Sequence, residues 1–400
     1  MRIGILAPVA TEDVAHLLAD TGGKLPPGYP GAPFIATLIE TYLQMGHEVV
    51  AFTSDKTLGR NGTAQRLDGP GFRLWICPSR PNGTLPRRGS PIGRIWDFFK
   101  FEREQLLAAV NQETVDILHA HWTYEFAMVA QASGRPCIAT IHDAPKDVVR
   151  MAPTPYTVGR YLMADRILRS NIPLTAVSPY VAMAVPREDV SVIGNPLPQW
   201  LMRTDFTTSP RSCGSVFSIA TVLGYWTKFK NPEPAVRAFA TLFKEYGKTV
   251  ELRMYGADFG PGGKAEKEIQ KAGVPMDGIH LCGRMPHKEL LQEISQANVL
   301  LHTSLTESFG MAVAEAMALG VPVIAGRHSG AMPWLLRDGA AGRLVDVRDS
   351  AAICEALKCA VGAVNESKKL AACAQSTVWD YSNPLDVASR YLSEYQRVSQ

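Results

Sequence analysis

The stretch "NVLLHTSLTESFGMAVAEAMALGVPVIA" (298–325) changes character three times. Its first run, NVLLHTS, is short and mostly apolar, as a buried strand is. LTES is polar and breaks the run, and Gly310 permits a tight approach of the backbone. MAVAEAMAL is rich in Ala, Leu and Met, all strong helix formers. Gly320 supplies a stop signal, and VPVIA opens a second apolar run. The segment therefore reads as strand, loop, helix, strand. Two apolar strands joined by a helix make a parallel βαβ unit.

Two carboxylates interrupt this stretch. Glu307 falls in the loop at a strand's carboxyl end, and Glu315 falls within the helix. Eight residues of helix rise about 12 Å. Carboxylates that flank one glycosidic bond stand roughly 5–9.5 Å apart. The spacing suits two parts of one extended ligand better than one bond. Between them, the N–H groups of Phe309 to Ala312 form a helix N-terminus, which attracts anions and phosphate above all.

The same alternation extends in both directions. RIGIL (2–6), HEVVAFT (47–53), VDILHAH (115–121), CIATIHD (137–143), LTAVS (174–178) and VSVIG (190–194) read as strands. APFIATLIETYLQMG (32–46) has helical spacing and ends at Gly46. NPLPQWLMRTDFTTSPRSCGS (195–215) lacks periodicity, as an interdomain linker would. The pattern then restarts with SVFSIATVLG (215–224), VELRMYGAD (250–258), IHLCG (279–283) and GRLVD (342–346), with helices such as 232–247 and 287–297 between strands. Fully apolar strands alternating with helices predict an α/β chain of two doubly wound domains, 1–195 and 196–380, with a last amphipathic helix in 381–400. Open parallel sheets bind ligands at the carboxyl ends of their strands, so two such domains predict a site in an interdomain cleft.

Bulk properties narrow the function classes. A chain of 400 residues exceeds what one core usually serves. A net charge of +3 is too small to make nucleic acid the main partner. The seven cysteines are odd in number and none are spaced CxxC, as in a reduced, cytoplasmic protein. The opening run is broken at Pro8 and reads as a strand rather than a signal sequence, and no apolar run is long enough to span a membrane. His119 and His121 share one strand face, but no third ligand lies at metal spacing, so no metal is expected. His142 stands at a strand end, where a ligand contact competes with a role as a satisfied core histidine.

Glu307, Phe309, Gly310, Glu315, Ala316, Gly320, Pro322 and Val323 match the pattern E-x-F-G-x4-E-A-x3-G-x-P-V. This resembles the retaining glycosyltransferases of family 4. VDILHAH, ATIHD, TAVS, VIGNP, KNPEPAVRAF and IHLCGRMPHKELLQEISQANVLLHTS resemble family segments in the expected order. The resemblance implies two Rossmann-like domains, the GT-B fold, and a final helix that crosses back to the N-terminal domain. It implies transfer of a sugar from a nucleoside-diphosphate sugar to an acceptor hydroxyl, in glycan, glycolipid or polysaccharide biosynthesis. No metal and no cofactor besides this donor substrate are implied.

By position, Glu315 would hold the donor ribose and Glu307 would lie beside the donor sugar. The backbone of Ser308, Phe309, Gly310 and Met311 would meet sugar and diphosphate, and Met285 would lie by the base. Lys230 fits the family lysine that neutralises the diphosphate. The family arginine is absent: Tyr225 stands in its place, and Lys228 is the candidate substitute. Developing charge on a metal-free diphosphate needs such a cation. Gly31, in PPGYPGAPF (26–34), occupies the place of the family's glycine-rich loop, and His142 that of a histidine reaching the transferred sugar. The segment 87–104 mixes arginines with Trp96, Phe98, Phe99 and Phe101. The resemblance implies a sugar, lipid-linked or small-molecule acceptor and a peripheral membrane contact through this segment; an amphipathic core helix with a solvated basic edge is the slightly favoured reading, and ordering of the segment by the acceptor is a further one. Tyr225 also leaves room for a catalytically silent partner subunit that binds a nucleotide sugar. A dehydrogenase is disfavoured, because no GxGxxG follows RIGIL or VFSIATV.

Overall fold

The computed structural model describes residues 1–19, 25–85, 92–203 and 216–399. The chain divides into two compact units, Met1–Pro198 with Pro384–Gln400, and Gln199–Asn383.

The first unit is built on β1 (Arg2–Leu6), β2 (Glu48–Asp55), β3 (Gln65–Gly69), β4 (Phe72–Pro78), β5 (Ile117–His121), β6 (Cys137–Ile141), β7 (Leu174–Ala176) and β8 (Ser191–Val192). Their order in the sheet is β3-β4-β2-β1-β5-β6-β7-β8. Only β3 runs antiparallel, beside β4. β1 pairs with both β2 and β5, so the chain reverses its direction of travel there. A crevice opens at such a switch point, at the carboxyl ends of the strands. Ile3, Ile5, Leu6, Val49, Phe52, Ile117 and Leu118 are fully or almost fully buried, as strands covered on both faces require.

The β3–β4 hairpin is absent from the sequence reading. QRLDG is an edge strand of alternating exposure, with no apolar run to betray it. In β4, Arg73 interrupts the apolar pattern and pairs with Asp68 and Glu113. The helix Pro384–Ser399 belongs to the first unit. Its Tyr391 and Tyr395 are buried, and the Tyr395 hydroxyl lies 2.7 Å from that of Tyr42.

The second unit contains β9 (Phe217–Gly224), β10 (Val250–Gly256), β11 (Ile279–Gly283), β12 (Val299–His302), β13 (Val323–Gly326) and β14 (Arg343–Val345), all parallel. The order β11-β10-β9-β12-β13-β14 places its switch point between β9 and β12. In the segment read as a linker, Gln199–Arg203 is a short helix, and 204–215 lie outside the described residues. In 87–104, residues 87–91 also lie outside the described residues. The remainder is a turn, Arg94–Asp97, followed by the helix Lys100–Val110. Ile95 and Phe99 are buried there, whereas Trp96 and Phe98 are exposed. No helix among the described residues is long and apolar enough to cross a membrane.

Candidate functional site

In the second unit, the loops after β9 and β12 carry the candidate residues and are tied to each other. Phe229 accepts a hydrogen bond from the Leu305 N–H at 2.9 Å. Asn231, in a left-handed conformation with φ 50°, donates to the carbonyls of Thr303 (3.2 Å) and Val347 (2.8 Å). Asparagine tolerates this conformation better than most residues. These bonds set Lys230 beside Glu307, with Lys230 Nζ 2.6 Å from Glu307 Oε1. His302 Nε2 donates to the same oxygen at 3.0 Å. Burial alone would raise the Glu307 carboxyl. The Lys230 ammonium and the His302 hydrogen bond outweigh it and hold the group well below the usual carboxylate range. Glu307 is thus a fixed anion, unsuited to donate a proton near neutrality.

Gly310 turns the chain from this loop into the helix Met311–Ala318. Its φ of 93° is left-handed, and a Cβ there would overlap the end of Met332. Phe309 is buried edge-on against Trp334, with centroids 6.1 Å apart. Ser308 and Met311 are half-buried beside it. The first turn of a helix leaves its N–H groups unpaired within the helix, so this end presents donors to an anion. Further along, Glu315 is buried and accepts a 2.7 Å hydrogen bond from His287 Nε2. His287 opens the helix His287–Gln296, just after the turn containing half-buried Met285. The contact therefore draws the loop after β11 against the helix that carries Glu315.

Lys228 and Tyr225 are placed differently. Tyr225 is 60% exposed. Lys228 is exposed and lines an open depression of about 740 Å³ with Arg237, Lys264 and Arg348; neither Lys230 nor Glu307 lines it.

The first unit contributes a second group of residues, at the ends of β1, β5 and β6. Gly31 has a φ of 121° and open space where a Cβ would stand. Its loop is anchored by Asp55, which accepts from the Gly28 N–H at 2.8 Å. His142 follows β6, is buried, and stacks on Trp122 with centroids 4.3 Å apart. His142 Nε2 lies 2.9 Å from His121 Nδ1. His119 is engaged on both nitrogens, by the Tyr395 hydroxyl and by Thr140, each at 2.7 Å. Burial lowers all three imidazoles, that of His121 to about 3, and so keeps them neutral. Among the described residues no group of three or more His, Cys, Asp or Glu is arranged to hold a metal.

The structure thus joins Lys230 to Glu307 and sets Glu315 on the helix that follows the Glu307 loop. His302, His287 and Trp122 escape the sequence reading. A histidine directly before a strand-end loop, or at the first position of a helix, was the available signal for the first two. Their partners lie on other elements, so the pairing itself had none.

Residues 31–196 match the family described as Glycosyl transferase 4-like domain, and residues 218–375 match Glycosyl transferases group 1. A D-inositol 3-phosphate glycosyltransferase from Acidothermus cellulolyticus is 26% identical over 86% of this chain and 82% of its own. One further curated relative is matched over 66% of its length, and several others over about a third. Among solved structures, sucrose-phosphate synthase from Thermosynechococcus elongatus aligns with a TM-score of 0.76 at 19% identity, over 99% of this chain and 98% of that one. Anabaena Alr3699/HepE in complex with UDP and glucose aligns with a TM-score of 0.69 at 17% identity, over 99% of this chain and 100% of that one. At these identities the two structures bear on the fold alone.

Proposed function

The chain belongs to the glycosyltransferases, with a Glycosyl transferase 4-like domain followed by a Glycosyl transferases group 1 domain in the GT-B architecture, and on that premise we propose that it moves a sugar from a nucleoside-diphosphate sugar to an acceptor hydroxyl with retention of configuration. One observation carries this reading: a lysine, a fixed carboxylate and a helix N-terminus meet at the switch point of a parallel sheet. One solved structure that shares the fold is a complex with UDP and glucose, and a donor of that class is what we propose for this chain.

Each residue then has a task that its surroundings allow. Lys230 carries three N–H donors; one meets Glu307, which leaves two for diphosphate oxygens. The first turn of Met311–Ala318 adds backbone donors from Phe309 to Met311. Glu307 accepts from a sugar hydroxyl on the oxygen that Lys230 and His302 leave open. Glu315, with His287 on one oxygen, offers the other to the ribose hydroxyls. Met285 lies by the base, and Gly31 and His142 serve the sugar.

In the reaction, the bond from the anomeric carbon to the phosphate oxygen breaks. The acceptor oxygen bonds to that carbon on the same face, and its proton passes to the departing phosphate. No enzyme nucleophile is required. Positive charge is needed where the phosphate departs, and Lys230 supplies it together with the helix N-terminus. Lys228 would add to it only from its place in the neighbouring depression. Exposed Trp96 and Phe98 suit a peripheral membrane contact while the acceptor is bound.

Calorimetry with UDP, GDP and ADP tests the reading. One diphosphate should bind clearly, and Glu315→Ala should weaken it at least tenfold. Absence of binding by all three, or unchanged binding by the variant, would refute it.

A further inference from the structure

His121 and His142 stand at the carboxyl ends of adjacent strands and share one hydrogen bond, between His121 Nδ1 and His142 Nε2 at 2.9 Å. One proton lies between them, and its owner decides what His142 presents. The other nitrogen of His121, Nε2, is buried and has no partner among the described residues. If His142 donated through Nε2–H, neutral His121 would carry its own proton on Nε2. That N–H would be buried with no acceptor. If His121 donates through Nδ1–H instead, Nε2 holds only a lone pair. Orphaned buried N–H groups are the rarer case in proteins, and each costs the desolvation of a donor. A second proton on either ring would add a charge inside a buried pair, which burial opposes.

The rings are also held against rotation. Trp122 stacks on His142 at 4.3 Å, and Phe34 lies on it at 5.1 Å. Trp122 adopts a left-handed φ of 70°, unusual for a bulky residue, and its N–H donates to the Thr140 carbonyl at 2.9 Å. His119 packs against His121 with centroids 3.9 Å apart, and is itself fixed by Tyr395 and Thr140. With Nε2 taken, Nδ1 is the polar atom left to His142, which keeps 8% of its surface exposed.

We infer that His121 is a positioning residue that fixes His142 as its Nδ1–H tautomer, so that His142 is a hydrogen-bond donor to a sugar oxygen and not a base. This rests on the proposed role of His142 toward the transferred sugar. It adds a specificity: the site accepts a sugar with an oxygen at that position and discriminates against the deoxy analogue, which leaves the buried donor unpaired.

Three forms of the full chain test it: the wild type, His121→Asn and His121→Asp. An asparagine amide occupies the place of Nδ1–H and still donates; an ionised aspartate only accepts. Histidine labelled with 13C and 15N reports the tautomer by solid-state NMR, and His142→Gln assigns the signal. The wild type and His121→Asn should show Nδ1–H, and His121→Asp should show Nε2–H. Transfer should fall tenfold or more in His121→Asp, and His121→Asn should recover most of that loss. Hydrogen exchange of peptides from β5 and β6 should be equal in both variants, which reports a folded first unit. An Nε2–H signal in the wild type, or no change in His121→Asp, would overturn the inference. The expected tautomers with unchanged turnover would instead overturn the role of His142 toward the sugar, and with it the specificity.

Discussion

Acidification should weaken the first unit by an amount that the histidine stack makes calculable. Burial lowers the His121 imidazole from 6.5 to about 3. The unfolded chain therefore takes up a proton near pH 6.5 that the folded chain refuses until about pH 3. Stability is fully present above pH 6.5 and is lost as the pH falls through that window. At pH 5 about 1.5 pH units of it have been crossed, so His121 alone costs about 2 kcal/mol. That is a large share of the 5–15 kcal/mol typical of a domain. His119 and His142 act in the same direction, because burial lowers both. The perturbation is His121→Asn, which removes the titration and keeps the hydrogen bond to His142. The assay is urea unfolding at pH 7.5 and pH 5, with hydrogen exchange of peptides from β5 and β6 reporting the first unit by itself. The wild type should lose about 2 kcal/mol more than the variant between the two pH values. Equal losses would mean that His121 is hydrated in the folded chain, and the reasoning from its burial would fail.

Other perturbations bear on the second unit. Glu315→Ala removes a charge-assisted hydrogen bond worth about 1.5–3 kcal/mol, so the bound nucleoside diphosphate should weaken ten- to a hundredfold by calorimetry. His287→Ala should weaken it less, since the carboxylate remains. Lys230→Ala should lower kcat by about 10²–10³ in a transfer assay, whereas Lys228→Ala should cost under tenfold. Equal losses would restore Lys228 to the diphosphate site. Gly310→Ala forces a side chain into a left-handed position and should cost about 1–2 kcal/mol before Met332 adjusts, readable as a lowered urea midpoint.

The sequence was most legible where one physical demand dominated. Strands such as IGIL and VLLH are apolar because both sheet faces are covered, and that demand is visible in any window. Gly310 was legible because only glycine suits its conformation. The β3 strand was not, since its ladder is made by backbone groups and its side chains face water alternately. The candidate site divides in the same way. Glu307 and Glu315 announce themselves as acids in an apolar stretch. What makes each tolerable does not: His302 lies before the loop, His287 twenty-eight residues away, and Lys230 seventy-seven. A spacing rule covers one element at a time, whereas the contacts of Lys230 and His287 are made by the order of strands in the sheet.

That order also bears on the missing arginine. Lys230 and Glu307 neutralise each other, and on the proposed reading a diphosphate at Lys230 competes with that carboxylate. A half-buried carboxylate stripped of its only partner would oppose binding. Glu307 has a second partner. His302 Nε2 stays on the same oxygen, fixed by its place in β12, whichever way Lys230 turns. On the proposed reading, His302 therefore allows one lysine to shift its charge toward the phosphate without orphaning Glu307. A chain with tyrosine in the arginine position needs that freedom more than one with two cations, because Lys230 must serve both the carboxylate before binding and the phosphate as it leaves.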